Sequence, residues 1–157
     1  MVTESTRKWV LLVYRLPREP SAPRLALWRS LRRFGAVLLG DGLAALPADE
    51  RTIEHAEWLA AGIEENGGVA AVWLATPRQR QTAERLAAQA TAAVEAEYVG
   101  VISESAAIRG EPAQAGVAQR RLRRRLREVG ARDYFGAPSR DAARTAVEVL
   151  TAARQPA

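Results

Sequence analysis

The stretch "AVLLGDGLAALP", residues 36–47, decides how the chain divides into strands and helices. Its two short apolar runs are separated by Gly40, Asp41 and Gly42. Asp-Gly between such runs is typical of a β-hairpin, because both residues adopt positive φ angles at little cost. A glycine-rich phosphate loop is the alternative interpretation, but the lysine and the hydroxyl residue of such a loop are missing. The stretch therefore predicts two antiparallel strands.

Upstream of the hairpin the sequence predicts a strand and then a helix. The segment "KWVLLVYRL", residues 8–16, is apolar on both faces and predicts a central strand. Prolines follow it, and Ser21 stands where the N-cap of a helix is expected. Apolar residues then recur at helical spacing over 22–34, and Gly35 is expected to end that helix.

Downstream of the hairpin the same two kinds of element are predicted again. Asp49 is expected to cap a second helix, which Asn66, Gly67 and Gly68 end. The segment "VAAVWLA", residues 69–75, then predicts a fourth strand. The order β-α-β-β-α-β is that of a ferredoxin-like α+β sandwich. Both crossover helices should cover one face of the sheet and leave the other face open.

The rest of the chain predicts helices. We expect residues 1–77 to form the ferredoxin-like core and residues 78–157 a C-terminal helical extension packed on it, as a single domain overall. Helices are expected over 78–99 and over 117–129, and Pro138 and Ser139 are expected to begin a last one that runs to about 153. A loop is expected at 109–116.

The second helix of this extension carries six arginines between Arg120 and Arg127. Leu122, Leu126 and Val129 recur at i, i+4 and i+7 and predict a narrow apolar seam, so the arginines occupy the remaining arc. One interpretation is contact with DNA phosphates or another anion, and the residues expected to make it are Arg120, Arg121, Arg123, Arg124 and Arg127. The other is a solvated face whose arginines pair with the third helix, at glutamates such as Glu84, Glu95 or Glu97. No base-reading motif accompanies the arginines.

Composition excludes several classes of site. The formal net charge is +5, which favours anionic partners. The chain has no cysteine, so disulfides, thiolate metal sites and cysteine nucleophiles are excluded. Its one histidine, His55, is expected on a helix as a surface or half-buried residue.

No apolar run is long enough for a membrane span or a signal peptide, so we expect a soluble, cytoplasmic protein. Asp133 is expected to pair with an arginine or cap a turn, and no catalytic residue, metal site or cofactor is expected.

In four stretches the sequence resembles the N-terminal domain family of ChrB, the chromate-resistance regulators of bacteria. They are "WVLLVYRLPREPSAPRLALWRSLRRFGAVLLGDGLAALP" at 9–47, "ENGGVAAVWLA" at 65–75, "EAEY" at 95–98 and "RRLRRRLREVGARDYFGAP" at 120–138. The sheet of this family looks similar to that of PaaX-type repressors and CRISPR adaptation nucleases, which pair two ferredoxin-like sheets as dimers. Family regulators usually continue into a second domain, whereas this sequence ends at Ala157.

The resemblance implies a cytoplasmic, DNA-associated transcriptional regulator that responds to chromate, a non-enzymatic protein, with a homodimer as the expected assembly. A tetrahedral dianion requires cationic donors, and besides the arginine helix the candidates are Arg15, Arg18, Arg24 and Arg29. A homodimeric interaction module that does not bind DNA is the main alternative. A phosphodiesterase-like enzyme would require a metal-binding acid near a strand end, but Asp41 lies in the hairpin turn.

Overall fold

A computed structural model describes residues 7–109 and 115–152 of the chain. These residues fall into two compact units that divide between Ala90 and Thr91, within a long helix. The described residues contain four strands and five helices, so the protein is of the α+β class. The boundary at residue 77 and the packing of the helical extension on the core remain predictions.

The first unit contains the four strands, which lie where the sequence predicts them. They are β1 (Trp9–Arg15), β2 (Val37–Gly40), β3 (Leu43–Pro47) and β4 (Val69–Ala75). The strands form one sheet in the order β2-β3-β1-β4, and every neighbouring pair is antiparallel. The predicted hairpin is confirmed as β2 and β3, with a register shift between Leu38 and Gly40.

Two helices, α1 (Ala22–Phe34) and α2 (Glu50–Glu65), follow β1 and β3 as predicted. Leu27 and Leu31 of α1 pack with Leu59 and Ile63 of α2 in one core cluster. Leu12 of β1 belongs to the same cluster, as the shared face of the sheet requires. Both helices therefore cover one face of the sheet, and the predicted order β-α-β-β-α-β is confirmed.

The ends of these helices match the sequence. Gly35 ends α1 with φ +74°, in the left-handed region that favours glycine. Asp49 caps α2 in a capping box, in which its side chain accepts from the Thr52 backbone N–H at 2.8 Å. Ser21 is the N-cap of α1, as the sequence predicts, although its side chain makes no cap hydrogen bond. Pro23 in the first turn already removes one of the N–H groups that such a cap would satisfy.

The opposite face of the sheet is open only in part. Side chains alternate between faces along a strand, so Trp9 and Val13 lie on the face that α1 and α2 do not cover. Trp9 is buried, and so is Ala45 of β3 on this same face. Val13 is 43% exposed and Trp73 of β4 is 61% exposed. The exposed part of this face therefore lies toward β4.

The third helix, α3 (Arg80–Ile108), is longer than the sequence predicts. The predicted end at residue 99 is wrong, because the segment that begins "ISESAAI" continues the helix. A glycine in a helix costs about 1 kcal/mol, but burial of Tyr98 and Val101 on either side of Gly100 outweighs that cost. A Cβ at Gly100 would lie 3.4 Å from the guanidinium of Arg125, so glycine leaves room for that side chain.

In the described part of the chain, no helix is both long and apolar enough to cross a membrane.

The second unit contains the rest of α3 with α4 (Ala115–Gly130) and α5 (Arg140–Ala152). Of the predicted loop at 109–116, Arg109 lies in a turn, residues 110–114 lie outside the described residues, and Ala115 and Gly116 belong to α4. Helix α5 begins at Arg140, and its predicted last residue, 153, also lies outside. The core cluster of this unit joins all three helices, and its buried residues include Val94, Tyr98, Val101, Leu122, Val129, Ala143, Val147 and Leu150.

Candidate anion-binding surfaces

The apolar seam of α4 fixes the direction of its arginines. Leu122 and Val129 are fully buried in the core cluster, and Leu126 packs against it. This confirms the predicted seam. Because an α-helix turns 100° per residue, the arginines occupy the two flanks and the far side of α4.

One flank of α4 is held by an acidic residue of α3. Arg121 forms an ion pair with Glu104, and Arg125 lies 3.5 Å from the other oxygen of the same carboxylate. Arginine pairing with the third helix was one of the two interpretations of the sequence, and it is correct for these two residues. The partner is not one of the three expected glutamates, because Glu104 lies in the part of α3 beyond its predicted end.

The three glutamates named from the sequence have other partners. Glu84 pairs with Arg80 one turn earlier on α3, at 2.6 Å. Glu95 accepts hydrogen bonds from the backbone N–H and the hydroxyl of Ser139. Glu97 pairs with Arg132, which follows the end of α4. None of the three pairs that the structure gives joins these glutamates to residues 120–127.

The far side of α4 carries the outer stripe, which we define as Arg120, Arg124 and Arg127. All three side chains are exposed, and helical spacing places them opposite Leu122. Arg124 lies 3.7 Å from Glu128 on the same helix, but both side chains are largely exposed, so this pair is weak. Arg123, also exposed, lies on the flank away from Glu104. Of the predicted anion-binding residues, Arg121 is thus paired with α3, whereas the three residues of the outer stripe face away from the core.

A concavity in this unit lies beside Arg127. Its lining includes Tyr98, Arg127, Arg140 and Arg144. Tyr98 donates its hydroxyl proton to Asp133 at 3.2 Å, and Arg140 lies 3.9 Å from the same carboxylate oxygen. Burial raises the pKa of Tyr98, as does the nearby charge of Asp133. No pattern in the sequence joins Tyr98 of α3 to Arg140 and Arg144, which stand one turn apart on α5.

Asp133 itself does what the sequence predicts. Its side chain is fully buried, and one oxygen accepts from the backbone N–H groups of Gly136 and Ala137, each at 2.9 Å. The other oxygen faces Tyr98 and Arg140. Asp133 therefore both caps the turn after α4 and pairs with an arginine.

The first unit contains the β1–α1 cleft, a depression of about 570 Å³ between the end of β1, the start of α1 and the hairpin turn. The cleft brings together three of the four arginines proposed as oxyanion donors, and its polar lining residues are Tyr14, Arg15, Arg18, Arg24 and Asp41. The indole of Trp28 lines it too. Arg29 lies outside the cleft, exposed on α1, because it stands about 140° around the helix from Arg24.

The hairpin turn is placed against the cleft by a close backbone contact. The backbone N–H of Tyr14 donates to the carbonyl of Gly42 at 2.8 Å. A Cβ at Gly42 would lie 2.3 Å from the Tyr14 carbonyl oxygen, and the residue has φ +84°, so only glycine fits there. This contact places Asp41, the preceding residue, at the cleft.

The electrostatics of the β1–α1 cleft are mixed. Burial raises the pKa of Tyr14, the charge of Arg24 lowers it, and the charge of Asp41 raises it again. Among the described residues, neither Arg15, Arg18 nor Arg24 forms an ion pair. The cleft therefore offers cationic donors to an anion, with Asp41 as the one opposing charge in its lining.

His55 takes a structural place, as the sequence predicts. Its ring stacks on Phe34 of α1 with a centroid distance of 3.9 Å. Burial is the main cause that lowers its pKa, followed by the charge of Arg51. Within residues 7–109 and 115–152, no three His, Cys, Asp or Glu side chains are grouped so as to hold a metal ion.

Comparison with known families gives one match. Residues 24–155 match the family model described as "Protein ChrB, N-terminal". No curated protein and no solved structure matches the chain. The matched range begins within α1 and includes the hairpin and both α4 and α5, so it covers most of the chain. The chain therefore belongs to the ChrB N-terminal family, whose proteins are associated with chromate resistance.

Proposed function

We propose that this protein is a cytoplasmic, non-enzymatic regulatory module of a chromate-resistance system, and that it contacts DNA through α4. The observation that carries the proposal is the division of the α4 arginines. Arg121 and Arg125 share the carboxylate of Glu104, whereas the outer stripe points away from the core. The stripe is therefore the part of α4 that is best placed to meet an anionic partner.

The spacing of the outer stripe suits a polyanion. Arg120 and Arg124 are four residues apart and Arg127 follows three residues later, so like charges lie on adjacent turns. Each such pair costs a few tenths of a kcal/mol in the free protein. Phosphates would relieve that repulsion, and a guanidinium binds a phosphate through two parallel hydrogen bonds.

The core of the second unit supports a fixed orientation of the stripe. Leu122 and Val129 are buried, and the pairs with Glu104 restrain rotation of α4 about its axis. A helix held in this way loses little further freedom on binding, which lowers the entropic cost of association. Contacts to phosphates carry no sequence information, so sequence preference would have to come from DNA shape or another surface.

For the first unit we propose the ferredoxin-like fold. Its support is the element order β-α-β-β-α-β, the antiparallel sheet and the two helices on one face. The fold alone does not specify a function, because many unrelated sites are built on it.

We propose the β1–α1 cleft as the place where an oxyanion such as chromate binds and modulates the regulator. Arg15, Arg18 and Arg24 supply guanidinium donors without a competing ion pair among the described residues. Tyr14 also lines the cleft, and its hydroxyl is a further donor because a phenol is protonated at neutral pH. The chain has no thiol that chromate could oxidise.

A homodimeric interaction module that does not bind DNA is the second candidate. The observation that favours it is the exposure of large apolar side chains on β4, among them Val69 at 65% and Trp73 at 61%. Exposed apolar groups of this size on one strand are typical of an interaction surface.

Fluorescence anisotropy separates the two candidates. A labelled duplex from upstream of the protein's own gene is compared with a random duplex, at two salt concentrations, with and without chromate. We expect binding at low salt that weakens steeply as salt rises, and preferential binding that chromate weakens would support a self-contained regulator. Equal binding to both duplexes would indicate phosphate contact without sequence reading. Absence of binding at low salt would contradict the proposal and leave the interaction module.

A further inference from the structure

The β4 strand is a regular sheet edge in the described structure. The strand order places β4 at one end of the sheet, with β1 as its neighbour along all seven residues. The sequence of β4, "VAAVWLA", contains no charged residue, no proline and no glycine. Natural edge strands are usually protected by charges, prolines, bulges or short length, because an open row of N–H and C=O groups pairs with other chains. β4 has none of these protections.

The other edge of the sheet differs in each of these respects. β2 has four residues, and its pairing with β3 is interrupted by a register shift between Leu38 and Gly40. Short length and irregular pairing are two of the ways in which proteins prevent edge-to-edge association. Association through strand edges should therefore use β4 alone. An interface in which one surface meets its own copy closes at two subunits.

We propose that the β4 edge pairs antiparallel with the β4 edge of a second copy, centred on Val72, to form a continuous eight-stranded sheet. In that register each larger side chain except the central Val72 stands directly opposite an alanine of the partner copy. Trp73 faces Ala71, Leu74 faces Ala70, and Val69 faces Ala75, while Val72 faces itself. The sequence of the strand is thus complementary to its own reversal, as a two-fold interface requires.

The same register covers the most exposed apolar groups. Residues opposite each other in antiparallel strands lie on the same face, and side chains two positions further along are within reach of an aromatic ring. Trp73 of one copy would therefore lie beside Ala71 of the other and reach its Val69 diagonally. Trp73 and Val69 are 61% and 65% exposed in the single chain. Pairing would remove the largest exposed apolar groups of this edge from water.

Charges at the two ends of β4 favour the antiparallel direction. Glu64 and Glu65 end α2 shortly before the strand, and Arg78 follows it, all three exposed. Antiparallel pairing brings the acidic end of one copy to the basic end of the other, twice in each dimer. A parallel arrangement would place like charges together. The charges thus select a second copy of this chain in the proposed direction over an arbitrary apolar strand.

The test measures the mass of the full chain by sedimentation velocity over a range of concentrations. We expect a monomer–dimer equilibrium for the natural sequence. Ala71→Lys places a charge on the exposed face of the edge and should raise the dimer dissociation constant by more than about tenfold, because each dimer carries the change twice. Ala61→Lys is the matched control. Ala61 lies in a depression between α1 and α2, away from the edge, so the dimer should persist.

A cysteine cross-link gives a second measurement that does not depend on weakening the dimer. The chain has no cysteine, so Val72→Cys introduces the single thiol. Opposed residues of antiparallel strands have Cα atoms about 4.5–5.5 Å apart, which is within the range of a disulfide. We expect a disulfide-linked dimer for Val72→Cys and none for Ala61→Cys. A monomeric natural chain, a mass that keeps growing beyond two copies, or equal behaviour of each variant and its control would overturn the proposal.

Discussion

The hydroxyl of Tyr98 on α3 donates to the buried carboxylate of Asp133 at 3.2 Å, across 35 positions of the chain. This bond joins α3 to the turn between α4 and α5. Removal of the donor leaves the Asp133 oxygen with a more distant partner, Arg140, at 3.9 Å. We expect Tyr98→Phe to lower the free energy of unfolding by about 1 kcal/mol, measured by urea denaturation.

Tyr14→Phe is the matched control for this prediction. Tyr14 also loses one hydroxyl, but within the described chain no hydrogen bond to that hydroxyl is observed. Its free energy of unfolding should therefore change by less than about 0.5 kcal/mol. Equal effects of the two substitutions would show that the bond to Asp133 contributes nothing to stability.

Glu95 predicts a dependence of stability on acid pH. Hydrogen bonds from the hydroxyl and then the backbone N–H of Ser139 lower the pKa of Glu95 below its ordinary value near 4.5. A lowered pKa in the folded state stabilises the fold above the ordinary pKa, and this contribution is lost as pH falls through the lowered value. We expect Glu95→Gln to be less stable than the natural chain at pH 7, with the difference shrinking toward pH 3. Ser139→Ala should show the same trend, and a difference that is constant with pH would contradict the prediction.

Gly42 predicts a severe effect of a single methyl group. A Cβ there would lie 2.3 Å from the carbonyl oxygen of Tyr14, and φ is +84°. Gly42→Ala should therefore cost more than about 2 kcal/mol of the free energy of unfolding. Gly67→Ala is the control, because Gly67 has φ +77° but nothing within 4 Å of the added Cβ, so it should cost only about 1 kcal/mol. Thermal denaturation of both variants measures the difference. Similar losses of stability would show that the backbone at Tyr14 moves away from the added methyl group at little cost.

The elements of the first unit could be predicted because their signals are local. Gly40-Asp41-Gly42 marks the hairpin, Gly35 ends α1, and Asp49 begins α2, each through the conformation or hydrogen bonds of a few adjacent residues. The end of α3 could not be predicted in this way. Gly100 is an unfavourable helix residue, and only burial of side chains around it in a core built from distant segments keeps the helix intact.

The same contrast holds for the candidate surfaces. Features that lie within one helix could be predicted, and contacts between separate segments could not. The seam of α4 follows from helical spacing, and so does the exposure of Arg120 and Arg124. The pairing of Arg121 and Arg125 with Glu104 depends on how α3 and α4 align, which no spacing within one helix reveals. Grouping of arginines from a strand end, a loop and a helix in the β1–α1 cleft is likewise a property of the folded chain.

The β1–α1 cleft predicts opposite effects of removing its positive and its negative charges. Arg18→Gln or Arg24→Gln removes a charge-assisted donor and should weaken chromate binding by roughly tenfold. Asp41→Asn removes the opposing charge and should strengthen it. Isothermal titration calorimetry with chromate, and with sulfate as a second tetrahedral dianion, measures both. Arg29→Gln is the control, since Arg29 is an exposed arginine outside the cleft, and an equal loss there would mean that only net charge matters.

The outer stripe predicts a change in the salt dependence of DNA binding. Each phosphate contact contributes roughly 0.9 to the slope of log affinity against log salt, because it releases condensed counterions. Arg120→Gln with Arg124→Gln should therefore reduce that slope by up to about 1.8. Anisotropy titrations at several salt concentrations give the slope directly, independently of the affinity at any one concentration.

Two double variants with the same net charge test whether position matters for this slope. Arg29→Gln with Arg85→Gln removes two exposed arginines outside α4, so the slope should stay near its natural value. Arg121→Gln with Arg125→Gln removes the pairs with Glu104 and should lower stability more than it lowers the slope, because these arginines already share the Glu104 carboxylate. If all three double variants reduce the slope equally, the protein attracts DNA through its overall charge. The arginines of α4 would then be only the solvated face of a structural helix.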